Sequence, residues 1–161
     1  MNQIIAPCTC GKSHIELRHL PSFRFFCHCT ICQRVYGKPY SDVAATHMRN
    51  VTLPAQHATR FGKYKRFMAL DRGLCGECGE PVVGFMRYLP GVPLAMVPVA
   101  NLGEQGASIM PRMHIYYGTR QRDIDDDLPK YEGALRSITA CIAPFLASCA
   151  KSEDPPKNVA A

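Results

Sequence analysis

Seven of the nine cysteines in this chain fall into three short clusters, and no other sequence feature constrains its fold as strongly. The clusters read CTCG from Cys8, CHCTIC from Cys27 and CGECG from Cys75. The odd count, and an N-terminus without a basic region or a long apolar segment, argue against a secreted disulfide framework. Clustered thiols in a reducing compartment more often bind metal or react. We therefore expect a cytoplasmic protein with metal sites.

The CGECG cluster predicts half of a zinc site. Cys75 and Cys78 stand at CxxC spacing, and Gly79 lets the backbone turn tightly after the second cysteine. Cys8 and Cys10 are the natural second pair, because residues two apart in an extended segment project to the same side. We predict that these four cysteines form a closed structural zinc site. The alternatives are a redox pair at Cys75 and Cys78, with Cys8 and Cys10 as core thiols.

The middle cluster supplies three further thiolates. Cys27 and Cys29 share one side of an extended segment, which turns His28 away, and Cys32 returns through a short turn. Three protein ligands and one exchangeable position are typical of a catalytic zinc, which would favour a substrate thiol as its anion. A thiol cluster without metal and a site closed by a histidine stay open. Four histidines are candidates for that fourth ligand: His14, His47, His57 and His114.

The rest of the sequence predicts a single mainly β domain followed by a helix. With 161 residues, 47% of them hydrophobic, the chain can bury a core. Stretches with strand-like patterns, bounded by glycine, proline, asparagine and aspartate, predict short strands. These stretches are HIELRHL, ATRFGKYKRFMAL, PVVGFMRYL, PLAMVPVA and RMHIYYG. Apolar residues at helical spacing from Leu135 to Cys149 predict a helix, which Pro144 should kink or interrupt.

Charge and hydropathy limit the classes of molecule that the protein is expected to bind. The formal charge of +6 is moderate and would suit either a small anionic molecule or weak nucleic-acid contact. Because the lysines and arginines are scattered and form no basic run, we do not expect nucleic acid as a partner. The longest apolar run, PGVPLAMVPVANL, is too short to span a bilayer, so no membrane association is expected.

The three clusters, in the order CTCG, FCHCTICQRVYG and GLCGECGEPVVG, resemble the glutathione-dependent formaldehyde-activating enzyme (GFA) family, which includes centromere protein V. MPRMHIYYGTRQRDIDDDLPKY resembles the segment that closes that domain. The resemblance implies a β-tent, a set of several small coiled antiparallel sheets organised around zinc. It implies two zinc ions per chain, and its ligand sets agree with the pairing derived above. We accordingly divide the chain into a zinc-binding domain (1–131), a helical extension (132–150) and a disordered tail (151–161).

The resemblance also implies an activity. The family joins glutathione to formaldehyde to give S-hydroxymethylglutathione, and the reverse reaction breaks a carbon–sulfur bond. It therefore implies a zinc-dependent carbon–sulfur lyase or synthase acting on a small thiol and a small aldehyde, with Cys27, Cys29 and Cys32 as the catalytic cysteines. The alternative is a non-catalytic zinc-stabilised module that binds protein or nucleic acid.

Two further roles are assigned to polar residues of the sequence. Arg34, Lys63 and Lys65 are candidates to contact a carboxylate of the thiol substrate. The candidates for the general acid are His28, His57 and Tyr64.

Overall fold

The structure of the chain is a computed structural model in which residues 3–54, 59–64, 70–87 and 93–151 are described, with side chains up to residue 148. His57, Lys65 and the predicted tail from residue 152 onward lie outside this part of the chain.

Strands dominate the described residues. They are β1 (Ile4–Pro7), β2 (His14–Leu17), β3 (Phe23–Cys27), β4 (Ser41–His47), β5 (Val51–Thr52), β6 (Thr59–Gly62), β7 (Leu70–Cys75), β8 (Pro81–Met86), β9 (Leu94–Pro98), β10 (Pro111–Ile115) and β11 (Lys130–Tyr131). The α-helices are α1 (Thr30–Tyr36), α2 (Gly103–Ala107) and α3 (Ala134–Lys151). The prediction of a mainly β protein with a C-terminal helix is confirmed.

The strands form two sheets. One has the order β1-β2-β5, and the other has the order β11-β10-β3-β4-β9-β8-β7-β6. The sequence analysis expected several small antiparallel sheets, whereas the larger sheet here has eight strands, and β10 runs parallel to both β3 and β11. Parallel neighbours require a long crossover connection, and the chain between β3 and β10 is long enough to provide one.

Strand alternation decides which way the middle cysteine cluster faces. In β3, Phe23, Phe25 and Cys27 are buried, while the two residues between them are only partly buried. Because successive side chains of a strand point to opposite faces, Cys27 shares a face with the two phenylalanines. These three residues belong to a core cluster that also includes Phe145 of α3. The first cysteine of CHCTIC is therefore held by the core.

Helix α3 packs only part of its apolar surface against the sheet. The helix continues through Pro144 without the interruption that the sequence predicted, since Phe145 anchors the next turn in the core. Four apolar side chains of this helix stay exposed: Leu135 by 78%, Ile138 by 55%, Ile142 by 39% and Leu146 by 47%. None of the helices among the described residues is both long and apolar enough to cross a membrane.

Candidate metal centres and the adjoining cavity

The first and last cysteine clusters meet in space. The Sγ atoms of Cys8, Cys10, Cys75 and Cys78 all lie within 4.8 Å of one another. The Sγ atoms of Cys8 and Cys10 are 3.4 Å apart, and those of Cys10 and Cys75 are 3.7 Å apart. Tetrahedral zinc, with zinc–sulfur bonds of about 2.3 Å, separates two sulfurs by about 3.8 Å. The donor set therefore fits zinc, and we call it the four-cysteine clamp.

Two similar turns build the clamp. The Gly11 amide donates to the Cys8 carbonyl at 2.9 Å, and the Gly79 amide donates to the Cys75 carbonyl at 2.9 Å. Both glycines adopt positive φ angles, 72° and 73°, which side chains with a Cβ rarely tolerate. The glycine after each cysteine pair thus serves the tight turn that the sequence predicted for Gly79.

A contact that the sequence analysis missed ties the two turns together. The Thr9 hydroxyl donates to Glu80 Oε2 at 2.6 Å, and the Thr9 amide donates to the same oxygen at 3.3 Å. Nothing in the local pattern of either residue signals this long-range pair. The contact holds the CTCG turn beside the CGECG turn through groups other than the cysteines.

The middle cluster forms a second centre, the cysteine triad of Cys27, Cys29 and Cys32. Cys27 ends β3, Cys29 is the N-cap of α1, and Cys32 lies in the first turn of that helix. Their Sγ atoms all lie within 4.8 Å of one another, so the triad can hold a metal ion. The short turn that was expected after Cys29 is in fact the seven-residue helix α1, whose Cys32 amide donates to Cys29 Sγ at 3.4 Å.

The triad gains no fourth ligand from the described residues. No further histidine, cysteine, aspartate or glutamate among them joins the three sulfurs. His14 and His47 are therefore outside the group, His114 is held elsewhere, and His57 lies in a segment that is not described. The histidine-closed alternative thus finds no support in the described part of the chain.

His28 points away from the triad and into a buried chain of hydrogen bonds. His28 Nε2 lies 2.8 Å from His114 Nδ1, and His114 Nε2 lies 2.8 Å from Asp126 Oδ2. If the His114 ring is neutral and donates from Nε2 to the Asp126 carboxylate, its Nδ1 accepts and His28 Nε2 donates. Partial desolvation disfavours the Asp126 charge, but hydrogen bonds from Lys130 and His114 outweigh it and lower the pKa of Asp126 to about 2. Burial lowers the pKa of His28 to about 4.

The backbone of His28 is held as firmly as its ring. Its amide donates to the Ile115 carbonyl at 2.9 Å, and its carbonyl accepts from Gln33 Nε2 at 2.7 Å and from the Thr119 hydroxyl at 2.9 Å. The residue between two triad cysteines is therefore fixed on both its side chain and its main chain. The hydrogen bonds of His28 therefore help to fix the positions of its neighbours Cys27 and Cys29.

Replacing His114 with phenylalanine should destabilise the metal-loaded protein by about 2 to 3 kcal/mol, because it leaves the buried His28 donor without an acceptor. Asp126→Asn is the matched control, since it keeps an acceptor for His114, and its expected cost is about 1 kcal/mol. Urea unfolding of both variants measures the difference. A His114→Phe variant within about 0.5 kcal/mol of wild type would contradict a structural role for this chain of hydrogen bonds.

The triad forms part of the wall of a cavity of about 510 Å³. The described residues that line this cavity come mainly from interior strands of the eight-stranded sheet, from α1 and from α3, and they are mostly aliphatic or aromatic. Arg72 of β7 is the only lysine or arginine among them. The cavity is therefore a mostly apolar space with four thiols on its surface, those of the triad and of Cys141, and one guanidinium.

Arg72 is buried beside the triad. Its side chain belongs to a residue that is only 6% exposed, and its Nη2 lies 3.9 Å from Cys32 Sγ. Its Nη1 finds no hydrogen-bond acceptor among the described residues. Hydrogen bonds from Cys27 and Cys29 hold the pKa of Cys32 well below its ordinary range, and the positive charge of Arg72 acts in the same direction. The guanidinium thus lies beside the Cys32 sulfur, and its Nη1 is available to donate to another acceptor.

The basic residues proposed from sequence lie elsewhere. Arg34 is exposed on α1, and Lys63 is 61% exposed with its Nζ 3.8 Å from Asp71 Oδ1. Neither lines the cavity, and Lys65 lies outside the described residues. Tyr64 is partly exposed, with its ring centre 5.7 Å from the Arg72 guanidinium carbon. The structure therefore brings the three triad cysteines together, but it places neither Arg34 nor Lys63 on the cavity wall.

The structure is that of a small, mainly β protein with one group of four cysteines and one group of three, each of which could hold a metal ion. Residues 3–119 match the family described as Glutathione-dependent formaldehyde-activating enzyme, and the chain belongs to this family. A crystal structure of a Rhodobacter sphaeroides protein, a structural genomics target, is similar in fold, with a TM-score of 0.50 and 22% identity. That similarity covers 66% of this chain and 97% of the other. No curated protein matches the sequence.

Proposed function

We propose that the protein is a zinc-dependent carbon–sulfur lyase or synthase that acts on the adduct of a small thiol and a small aldehyde. One observation carries this proposal: three cysteine sulfurs converge on the wall of a cavity, and no fourth protein ligand joins them among the described residues. The family's description, which names glutathione and formaldehyde, supports this reaction type.

The two cysteine groups are suited to different roles. The four-cysteine clamp offers a complete tetrahedral set, so a zinc held there would be structural. Zinc held by Cys27, Cys29 and Cys32 would stabilise the anionic form of a substrate thiol. We therefore expect two zinc ions per chain, of which only the one at the triad exchanges readily.

Arg72 is the residue best placed to donate a hydrogen bond to the oxygen of the adduct. Only one carbon separates oxygen from sulfur in a hydroxymethyl thioether, and the Arg72 Nη2 is already 3.9 Å from Cys32 Sγ. In synthesis the thiolate sulfur attacks the carbonyl carbon, and the carbonyl electron pair moves to oxygen, which then takes up a proton. In cleavage the hydroxyl loses its proton, the carbonyl forms, and sulfur keeps the pair of the broken carbon–sulfur bond. In both directions the Nη1 donor can stabilise negative charge on that oxygen.

Arg72→Met should lower kcat by about 10²- to 10³-fold, because the variant keeps the side-chain volume but loses the donor to the developing oxyanion. Arg72→Lys retains the charge without the planar pair of donors and should fall between wild type and Arg72→Met. Steady-state kinetics and metal analysis should be run together on both variants. If Arg72→Met kept both zinc ions and a kcat within threefold of wild type, Arg72 would have no part in the reaction.

The reaction itself is tested with a panel of thiols and aldehydes, in which adduct formation and cleavage are followed directly. The panel should include glutathione with formaldehyde, and the protein should carry its full metal content. We expect turnover of at least one adduct, well above the uncatalysed rate. If a fully loaded protein turned over none of them, the non-catalytic zinc-stabilised binding module would replace the enzyme as the better reading.

A further inference from the structure

We infer that the thiol substrate carries an apolar alkyl chain, and that helix α3 forms part of the site that binds this chain. The inference rests on the proposed function for the reacting sulfur, but the apolar chain and its binding site follow from the cavity. It concerns the class of thiol and not the chemistry at sulfur.

The cavity is lined for an apolar guest. Phe23 and Phe25 reach it from β3, and Leu94 and Met96 reach it from β9. A volume of about 510 Å³ is within the range of small-molecule sites and exceeds what the reacting atoms alone require. The wall beyond the triad is thus able to bury an alkyl chain and gain the free energy of removing it from water.

Glutathione is a poor match for the same walls. It carries two carboxylates, an ammonium group and two amides, and each costs free energy to bury without a partner. Among the described lining residues, Arg72 is the single cation, and its guanidinium already lies beside Cys32. An alkyl thiol presents only its sulfur to the triad and needs no such partners along its chain.

Helix α3 supplies the part of the wall that lies outside the family match. That match ends at residue 119, whereas α3 runs from Ala134 to Lys151. Six side chains of α3 line the cavity: Ser137, Ile138, Cys141, Ile142, Phe145 and Leu146. Three of them, Ile138, Ile142 and Leu146, are also 55%, 39% and 47% exposed, so they form an apolar rim between the cavity and solvent. A bound alkyl chain would cover that rim.

Titration calorimetry of the metal-loaded protein with ethanethiol, 1-propanethiol and 1-butanethiol tests the inference. Each added methylene should tighten binding by about fourfold, the gain expected for a methylene moved out of water. Glutathione should bind more weakly than 1-butanethiol. Ile142→Asn should reduce the gain to less than about twofold per methylene. Leu135→Asn is the matched control, because Leu135 is exposed on the same helix but does not line the cavity, and it should keep the full gain.

The outcomes separate the inference from the proposed function. Equal affinities for the three alkyl thiols, or tighter binding of glutathione than of 1-butanethiol, would overturn the inference that the substrate carries an apolar alkyl chain. An Ile142→Asn variant with the wild-type gain would overturn the role of α3. Affinity that rises with the length of the alkyl chain, without turnover of any thiol adduct, would support the apolar site and contradict the proposed lyase activity. Turnover of the glutathione adduct, together with thiol affinities that do not depend on the length of the alkyl chain, would support the lyase and overturn the apolar site.

Discussion

Replacing Cys75 with serine is expected to remove the structural zinc and to lower the free energy of unfolding by about 5 kcal/mol or more. Structural zinc contributes about 10 to 16 kcal/mol of apparent binding free energy in small zinc domains, and whole domains are stable by only about 5 to 15 kcal/mol. Cys75 is buried at the end of β7, and its clamp partners Cys8 and Cys10 follow β1. The clamp therefore joins the three-stranded sheet to the eight-stranded sheet in addition to the apolar core that the two sheets share, and its loss should weaken this junction.

Metal analysis of the purified protein and urea unfolding measure this effect. Cys141→Ser is the control, because Cys141 is partly buried but belongs to neither cysteine group. That variant should keep both zinc ions and most of the stability. A Cys75→Ser protein with wild-type metal content and an unchanged unfolding midpoint would contradict the assignment of the clamp.

Cys29→Ser should have the opposite profile, with a stable fold and almost no activity. Serine is a favourable N-cap, so α1 should keep its first turn when the Cys29 sulfur is replaced. We expect a loss of stability below about 1 kcal/mol, because the four-cysteine clamp is untouched. Without the third thiolate the exchangeable zinc should be lost, and kcat/KM should fall by about 10³-fold or more, as expected when a catalytic centre is dismantled.

Turnover assays and metal counting on the same preparation check this prediction. The expected count falls from two zinc ions per chain to one, while the unfolding midpoint hardly moves. If the variant held one zinc ion and had wild-type turnover, the triad would not be required for catalysis. A variant that unfolds would instead make the triad a second structural centre.

The cysteine groups could be predicted from the sequence because their geometry is local. Each pair of the clamp sits in a short turn with a glycine at positive φ, so spacing alone places two sulfurs together. The direction of the His28 side chain could also be predicted, because successive residues of an extended segment point to opposite sides and its neighbours Cys27 and Cys29 point toward the triad. CTCG could be matched with CGECG because each pair supplies two of the four ligands that a closed zinc site needs.

The features that were missed depend on contacts far apart in the chain. Helix α1 is too short to show a helical period, and its start is set by the Cys29 cap. Arg72 was not singled out from the sequence, because its burial depends on the position of β7 between β6 and β8 and against the cavity. The parallel pairing of β10 with β3 is equally non-local, as no pattern within either strand specifies its partner.

We propose above that the triad holds a metal ion with one position open to a thiol. Cobalt(II) in place of zinc tests it directly, because sulfur-to-cobalt charge-transfer absorption reports the number of thiolates bound. Adding 1-butanethiol should increase this absorption in wild type loaded with two cobalt ions per chain, and should leave it unchanged in Cys29→Ser, which is expected to hold one. A wild-type spectrum that does not respond to thiol, with both cobalt ions in place, would contradict an open metal site at Cys27, Cys29 and Cys32.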